Sequence, residues 1–348
     1  MANMRILVIT QIIDKHDPGL GFFHRWLEVF ANECESVQAL CLKEGTHALP
    51  SNVTVTSLGK EKGHSRLKYL WRFYRTIFVL RHEYDAVFVH MNPEYVVLGG
   101  IVWRLMGKTV GMWYAHRTVN LKLRVAAILM HQGFTGSKES FRIPSKKILV
   151  TGQGVDTSIF IPRERIHDNT LSLLVVGRLS PIKNLELAIE TLSEVRKTTH
   201  AVLRIVGAIG KPEDAAYEQK IKTMITENGL DDVALMVGGK DPDGVLDELQ
   251  NADVFLHTSN TNSADKTIVE AMAVGCYVVS SSPVYAKDLP DSCIQPSDAL
   301  AYAREIARFG ALPTIEKDRV ASVLREAAIR EHSLERLVRL IVHTLQSR

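Results

Sequence analysis

Short runs of β-branched and apolar residues alternate with helical patterns along the whole chain, and the series restarts near Leu171. The first set of expected strands is Arg5–Thr10, Val37–Leu42, Val53–Ser57, Ala86–His90, Thr109–Tyr114, Gly133–Gly136 and Lys147–Thr151. The second set is Leu173–Val176, Val202–Val206, Val233–Val237, Val254–His257 and Tyr277–Ser281. Several are continuous apolar runs, as parallel strands covered on both faces require. Helical patterns lie between them, for example over Phe22–Asn32, Leu185–Lys197, Asp214–Asn228, Asp243–Asn251 and Thr267–Val274. Alternating β and α predicts doubly wound parallel sheets.

The stretch Pro162–Asn169 is polar, lacks periodicity and reads as a linker. The expected organisation is therefore α/β with two Rossmann-like domains, 1–165 and 166–325, whose parallel sheets face each other across a cleft. In open α/β sheets, ligands sit beyond the carboxyl ends of the strands. The segment 326–348 contains an amphipathic pattern over Leu334–Leu345 that is expected to pack back on the first domain.

A length of 348 residues suits two domains, and 46% hydrophobic with 23% charged residues is ordinary for a globular protein. A formal net charge of +3 carries no nucleic-acid signal. The four cysteines, Cys34, Cys41, Cys276 and Cys293, have neither metal-ligand nor redox spacing, which favours a reducing compartment. The N-terminus lacks a signal-peptide layout. The longest apolar stretch, Tyr95 to Tyr114, is interrupted by Arg104 and Lys108, so it does not read as a membrane span. A cytoplasmic location is expected.

Two segments carry candidate chemistry. In the first, Gly177 ends a strand, and Arg178 and Lys183 bracket the Ser180-Pro181 turn. A guanidinium and an ammonium in one turn match a diphosphate, and they would make a divalent metal unnecessary. The plainer alternative is a surface turn with two solvated charges. In the second, Asp265, Lys266 and Thr267 lead into a helix whose first-turn amides are unpaired and partly positive. Glu270 follows Lys266 at i,i+4, placed to accept from ribose hydroxyls. The plainer alternative is that Asp265 or Thr267 caps the helix and Glu270 pairs with Lys266.

Together, "VTGQGVDTSIF" (150–160), "LLVVGRLSPIKNLELAIETL" (173–192), "LRIVG" (203–207), "ADVFLHTS" (252–259) and "IVEAMAVGCYVVSS" (268–281) resemble the retaining nucleotide-sugar glycosyltransferases of family 4, which have the GT-B fold. "WYAH" (113–116) resembles the family's first-domain strand ending in an active-site histidine. The resemblance implies that Arg178 and Lys183 hold the donor diphosphate, Glu270 binds the ribose and His116 lies against the transferred sugar. It also implies that Gly21 approaches the donor phosphate, and that Gly207 and Val237-Gly238-Gly239 line the base pocket. The family's first glutamate of E-x7-E falls on Asn262 here, and its frequent Glu before the lysine is Ile182. Asp265 is the candidate replacement for that first glutamate.

The implied substrates are a UDP- or GDP-linked sugar and a glycan, lipid or small-molecule acceptor, with no further cofactor, no metal and no nucleic acid. The resemblance supplies the retaining outcome. Two other readings stand beside this one: a nucleotide-sugar 2-epimerase or hydrolase, and a non-catalytic nucleotide-sugar binder. His16, His24 and His90 fall near other first-domain strand ends as acceptor-side or structural residues. Gly19-Leu20-Gly21-Phe22-Phe23-His24 lacks the third glycine of a dinucleotide fingerprint.

The segment Arg66–Phe78 is basic and aromatic, and Leu67, Leu70, Trp71, Tyr74 and Phe78 share one helical face. Such a helix suits an anionic membrane surface. The plainer alternative is a sheet-covering helix with its charges in water.

Overall fold

The computed structural model describes residues 4–17, 19–164, 170–259 and 264–348. Asn262 and residues 165–169 of the expected linker lie outside these. The chain divides into two compact units, one running to Asp156 and including Ser333–Arg348, the other spanning Thr157–His332.

The strands of the first unit are β1 (Arg5–Ile13), β2 (Ser36–Glu44), β3 (Val53–Ser57), β4 (Ala86–His90), β5 (Thr109–Trp113), β6 (Gln132–Thr135) and β7 (Ile148–Val150). They form one sheet in the order β3-β2-β1-β4-β5-β6-β7, and every pairing is parallel. Helices α1 (Phe22–Glu33), α2 (Arg66–Val79), α3 (Pro93–Leu105) and α4 (Leu121–Leu129) connect them. Alternate residues of a strand point to opposite faces, so β1 feeds two cores. Ile6 and Val8 join Phe23, Trp26 and Phe30 of α1, whereas Leu7 and Ile9 join the α2–α4 side with Phe73, Val96 and Trp103.

β1 runs three residues beyond its expected end because Ile12 and Ile13 keep pairing with Lys43 and Glu44. The apolar stripe of α2 is not the buried face. Phe73, Thr76 and Ile77 are buried instead, because Phe73 packs edge-on against Trp103 at 5.9 Å and lies 5.8 Å from Tyr95. Leu67 and Trp71 face outward.

In the second unit, β8 (Leu171–Val176), β9 (Ala201–Val206), β10 (Ala234–Gly238), β11 (Val254–His257) and β12 (Tyr277–Ser280) form a parallel sheet in the order β10-β9-β8-β11-β12. Helices α5 (Leu185–Val195), α6 (Ala215–Glu227), α7 (Pro242–Asn251), α8 (Lys266–Ala273), α9 (Ala299–Gly310) and α10 (Thr314–His332) cover it. The chain builds outward from β8 to β10 and then returns to the other side of β8 as β11. The order therefore reverses between β8 and β11, and such a switch point opens a crevice at the carboxyl ends of the strands.

The last helix, α11 (Leu334–Gln346), belongs to the first unit. Its buried residues, Leu334, Leu337, Val338, Ile341, Val342 and Leu345, follow the i, i+3, i+4 spacing of one helical stripe and complete the α1 side of the core. The parallel-sheet α/β architecture expected from the alternation is the observed one, with seven and five strands.

Candidate functional site

The loops that follow β8 and β11 carry most of the candidate residues of the second unit. Gly177 ends β8 with its N–H donating to Val206 O at 2.9 Å. A Cβ at this position would lie 2.7 Å from Cε of Lys183, so glycine leaves the room through which the lysine side chain passes. A short 3-10 turn over Pro181–Lys183 follows, and Asn184 adopts the left-handed region before α5 begins. The Ser180 hydroxyl oxygen in this turn is buried without a hydrogen-bond partner among the described residues. Arg178 is exposed and lies over Gly210, where a Cβ would come 3.0 Å from its Cδ.

The two loops are laced together. Thr258 Oγ1 donates to Lys183 O at 2.7 Å, and Ser259 Oγ donates to Ile182 O at 3.1 Å. Lys183 Nζ donates to Asp265 Oδ2 at 2.5 Å. The other carboxylate oxygen of Asp265 accepts from Thr267 Oγ1 at 2.8 Å and from Thr267 N at 3.3 Å, so Asp265 also caps α8. Tyr285 Oη holds the Asp265 carbonyl at 2.8 Å. Glu270 is buried one turn into α8, and Lys266 Nζ is 3.2 Å from its Oε1. The cap and the i,i+4 pair of the plainer alternative are thus both present. They leave Glu270 one turn in from the partly positive N-terminus of α8.

His257 is a residue that sequence reasoning passed over as the end of an apolar strand. It is 3% exposed. Nδ1 lies 2.9 Å from Ser280 Oγ, and Nε2 lies 3.7 Å from Asp265 Oδ2. A polar residue closing a fully buried strand was the available signal. Burial alone would raise the Asp265 pKa, but the neighbouring His257 and the Lys183 charge override it and hold the carboxyl well below the usual carboxylate range.

A depressed carboxyl pKa contributes stability that is fully present above the unfolded value of about 3.9 and is lost as pH falls below it. Asp265→Asn therefore destabilises the second unit by about 1–3 kcal/mol at neutral pH. The gap from the wild type should narrow as pH is lowered from about 5 towards 3. Denaturant titrations across that range read it, and a gap independent of pH would show that Asp265 is not held ionised by these neighbours.

His116 and Gly21 belong to the first unit. His116 is exposed just beyond β5, and its Nδ1 accepts from Thr118 N at 3.1 Å. At Gly21, before α1, a Cβ would meet Asp17 O at 2.7 Å and Lys15 O at 2.9 Å. His24 accepts from Ala48 N at 3.0 Å and pairs with Glu28 at 3.1 Å, which ties a loop rather than leaving the ring open. His90 ends β4 stacked on Phe23 at 4.2 Å, and burial pushes its pKa down to about 3.

Structural comparison places this fold among GT-B glycosyltransferases. Anabaena Alr3699/HepE, solved in complex with UDP and glucose, superposes with a TM-score of 0.74 over 99% of this chain and 100% of its own, at 18% identity. The sucrose-phosphate synthase of Thermosynechococcus elongatus gives a TM-score of 0.72 over 99% and 98%, at 17% identity.

Residues 156–316 match the family model described as Glycosyl transferases group 1, and the β8–β11 site falls inside that stretch. Within its GT-B fold, the chain is thus similar to the glycosyl transferases group 1 over residues 156–316. The Escherichia coli K12 protein named colanic acid biosynthesis glycosyltransferase WcaL is 29% identical over 226 residues, 62% of this chain and 54% of its own length. The Erwinia amylovora protein named amylovoran biosynthesis glycosyltransferase AmsK is 33% identical over 147 residues, 40% of this chain and 34% of its own. The chain spans about half the length of the first of these relatives.

Proposed function

We propose that the protein is a retaining, metal-independent glycosyltransferase of polysaccharide biosynthesis, moving a hexosyl group from a UDP- or GDP-linked sugar to an acceptor hydroxyl. The observation that carries this reading is the meeting of Lys183 and Asp265 at the β8–β11 switch point, within the stretch matched by the family model. Arg178 and Lys183 supply fixed positive charge for the diphosphate, and the N-terminus of α8 adds its unpaired amides. Glu270 accepts from the ribose. Asp265 takes the place of the glutamate missing at 262, fixing Lys183 and facing the donor sugar. His116 is assigned to the sugar from the first unit, and Gly21, Gly207 and Thr267 let backbone approach the donor.

In this scheme the glycosidic C–O bond to the diphosphate breaks as the acceptor oxygen bonds the same face of the anomeric carbon. The leaving phosphate takes the acceptor proton. Arg178, Lys183 and the helix terminus offset the charge developing on that phosphate. The relatives' names favour a glycan acceptor over a lipid or small molecule. Among the described residues, no helix is long and apolar enough to cross a membrane.

The test is a thermal-shift screen of nucleoside diphosphates and their sugars, followed by a nucleotide-release assay. A saturating nucleotide at about 100 times its Kd stabilises by about 2.7 kcal/mol, so one of UDP or GDP raises Tm. No response to any nucleotide would sink the proposal. Product analysis with the responding donor then separates transfer from epimerisation, and binding without turnover would identify a non-catalytic binder.

A further inference from the structure

The outward face of α2, α3 and α4 is not explained by the donor site. On α2, Leu67 is 80% and Trp71 62% exposed; on α3, Leu105 is 84% exposed; on α4, Leu121 and Ile128 are 76% and 70% exposed. The three helices form one layer over one face of the sheet. Tyr74 Oη of α2 donates to Leu98 O of α3 at 3.0 Å. Arg104 of α3 donates to Leu129 O of α4 at 3.0 Å, and Lys122 of α4 pairs with Glu94 of α3 at 2.8 Å. Single exposed apolar residues are normal, but large ones on adjoining helices mark a docking surface.

The charges on this layer select the occupant. Helix α2 carries Arg66, Lys68, Arg72 and Arg75 and no acidic residue, and α4 carries Lys122 and Arg124 and none. Arg66, Lys68, Arg75 and Arg124 have no carboxylate partner among the described residues, and Arg75 lies over the Trp71 ring at 5.7 Å. Glu94 is the one acid on the three helices, and Lys122 already occupies it. A second copy docked by a two-fold axis would set this basic face against itself. Basic residues interleaved with Trp and Leu on one helical face instead match a lipid surface, with the apolar side chains in the acyl boundary and the cations among anionic headgroups.

We propose that the α2–α4 face docks the protein on an anionic lipid surface. Flotation of the full chain with phosphatidylcholine vesicles, alone or mixed with phosphatidylglycerol, tests it at low and high salt. Binding is expected on the anionic vesicles at low salt, with loss on raising the salt, which screens exposed charges. Substituting Arg66→Gln, Lys68→Gln and Arg75→Gln together should lower the partition coefficient by about fivefold per cation, some hundredfold in all, at ~1 kcal/mol per cation. Leu67→Ser with Trp71→Ser should lower it by about tenfold or more. All five side chains are exposed, so Tm and nucleotide release in solution should stay as in the wild type. Failure of the wild type to float with anionic vesicles at low salt would overturn the proposal, as would equal binding by all variants. A dimer in sedimentation that Trp71→Ser dissociates would assign the face to a second copy instead.

Discussion

Lys183→Ala and Arg178→Ala should each lower kcat by about 10²–10³, the usual loss when one preorganised donor to a developing oxyanion is removed. The two differ in their effect on stability. Arg178 is exposed, so its loss should leave Tm unchanged. Lys183 is half-buried and donates to Asp265 at 2.5 Å. Without it the carboxylate keeps only His257 and the hydroxyl and amide of Thr267, and the second unit should lose about 1–3 kcal/mol. Initial rates at saturating donor, with Tm for each variant, read both effects. A fall in kcat/KM confined to KM would mean the cations bind ground state and transition state alike. Full activity in both variants would remove the donor-diphosphate assignment.

How legible the molecule was depends on how local each feature is. The strands could be read because buried parallel strands are almost uninterrupted apolar runs, as Leu173–Val176 and Ala86–Val89 are. The cation turn could be read because its residues lie within seven positions of one another. The orientation of α2 could not. Its sequence offers one stripe through Leu67, Trp71, Tyr74 and Phe78 and another through Phe73 and Ile77, and only contact with Tyr95 and Trp103 selects the second. The Lys183–Asp265 contact spans 82 residues and exists because β8 and β11 are neighbours. Spacing along the chain carries no trace of it. His257 was hidden for the same reason, since its partners Ser280 and Asp265 lie on other elements.

The resemblance suggests that Gly207 lines the base pocket, and the geometry gives this residue a heavier structural task. A Cβ at Gly207 would lie 1.8 Å from Gly177 O, where real Cβ contacts do not come under 3.0 Å. The obstacle is backbone, and it is tied on both sides. Gly177 N donates to Val206 O, Gly207 N donates to Gly238 O at 2.9 Å, and Leu179 N donates to Ala208 O at 3.0 Å. The loops after β8, β9 and β10 are thus laced at one point, and a methyl group there must push the Gly177–Leu179 segment aside by more than an ångström. Overpacking of this kind costs about 1–3 kcal/mol or more. Displacing Arg178 and Lys183 by about 1 Å costs roughly 10² in rate. Gly207→Ala should therefore lower both Tm and kcat. Gly229→Ala, in the same unit but outside these loops, is the control: a Cβ there meets nothing within 4 Å, and only its φ of +63° is strained, at about 1–2 kcal/mol. It should lower Tm modestly and spare kcat. If Gly207→Ala keeps Tm and kcat and raises only the donor KM, the glycine serves the base pocket and the lacing of these loops is not what sets the cations.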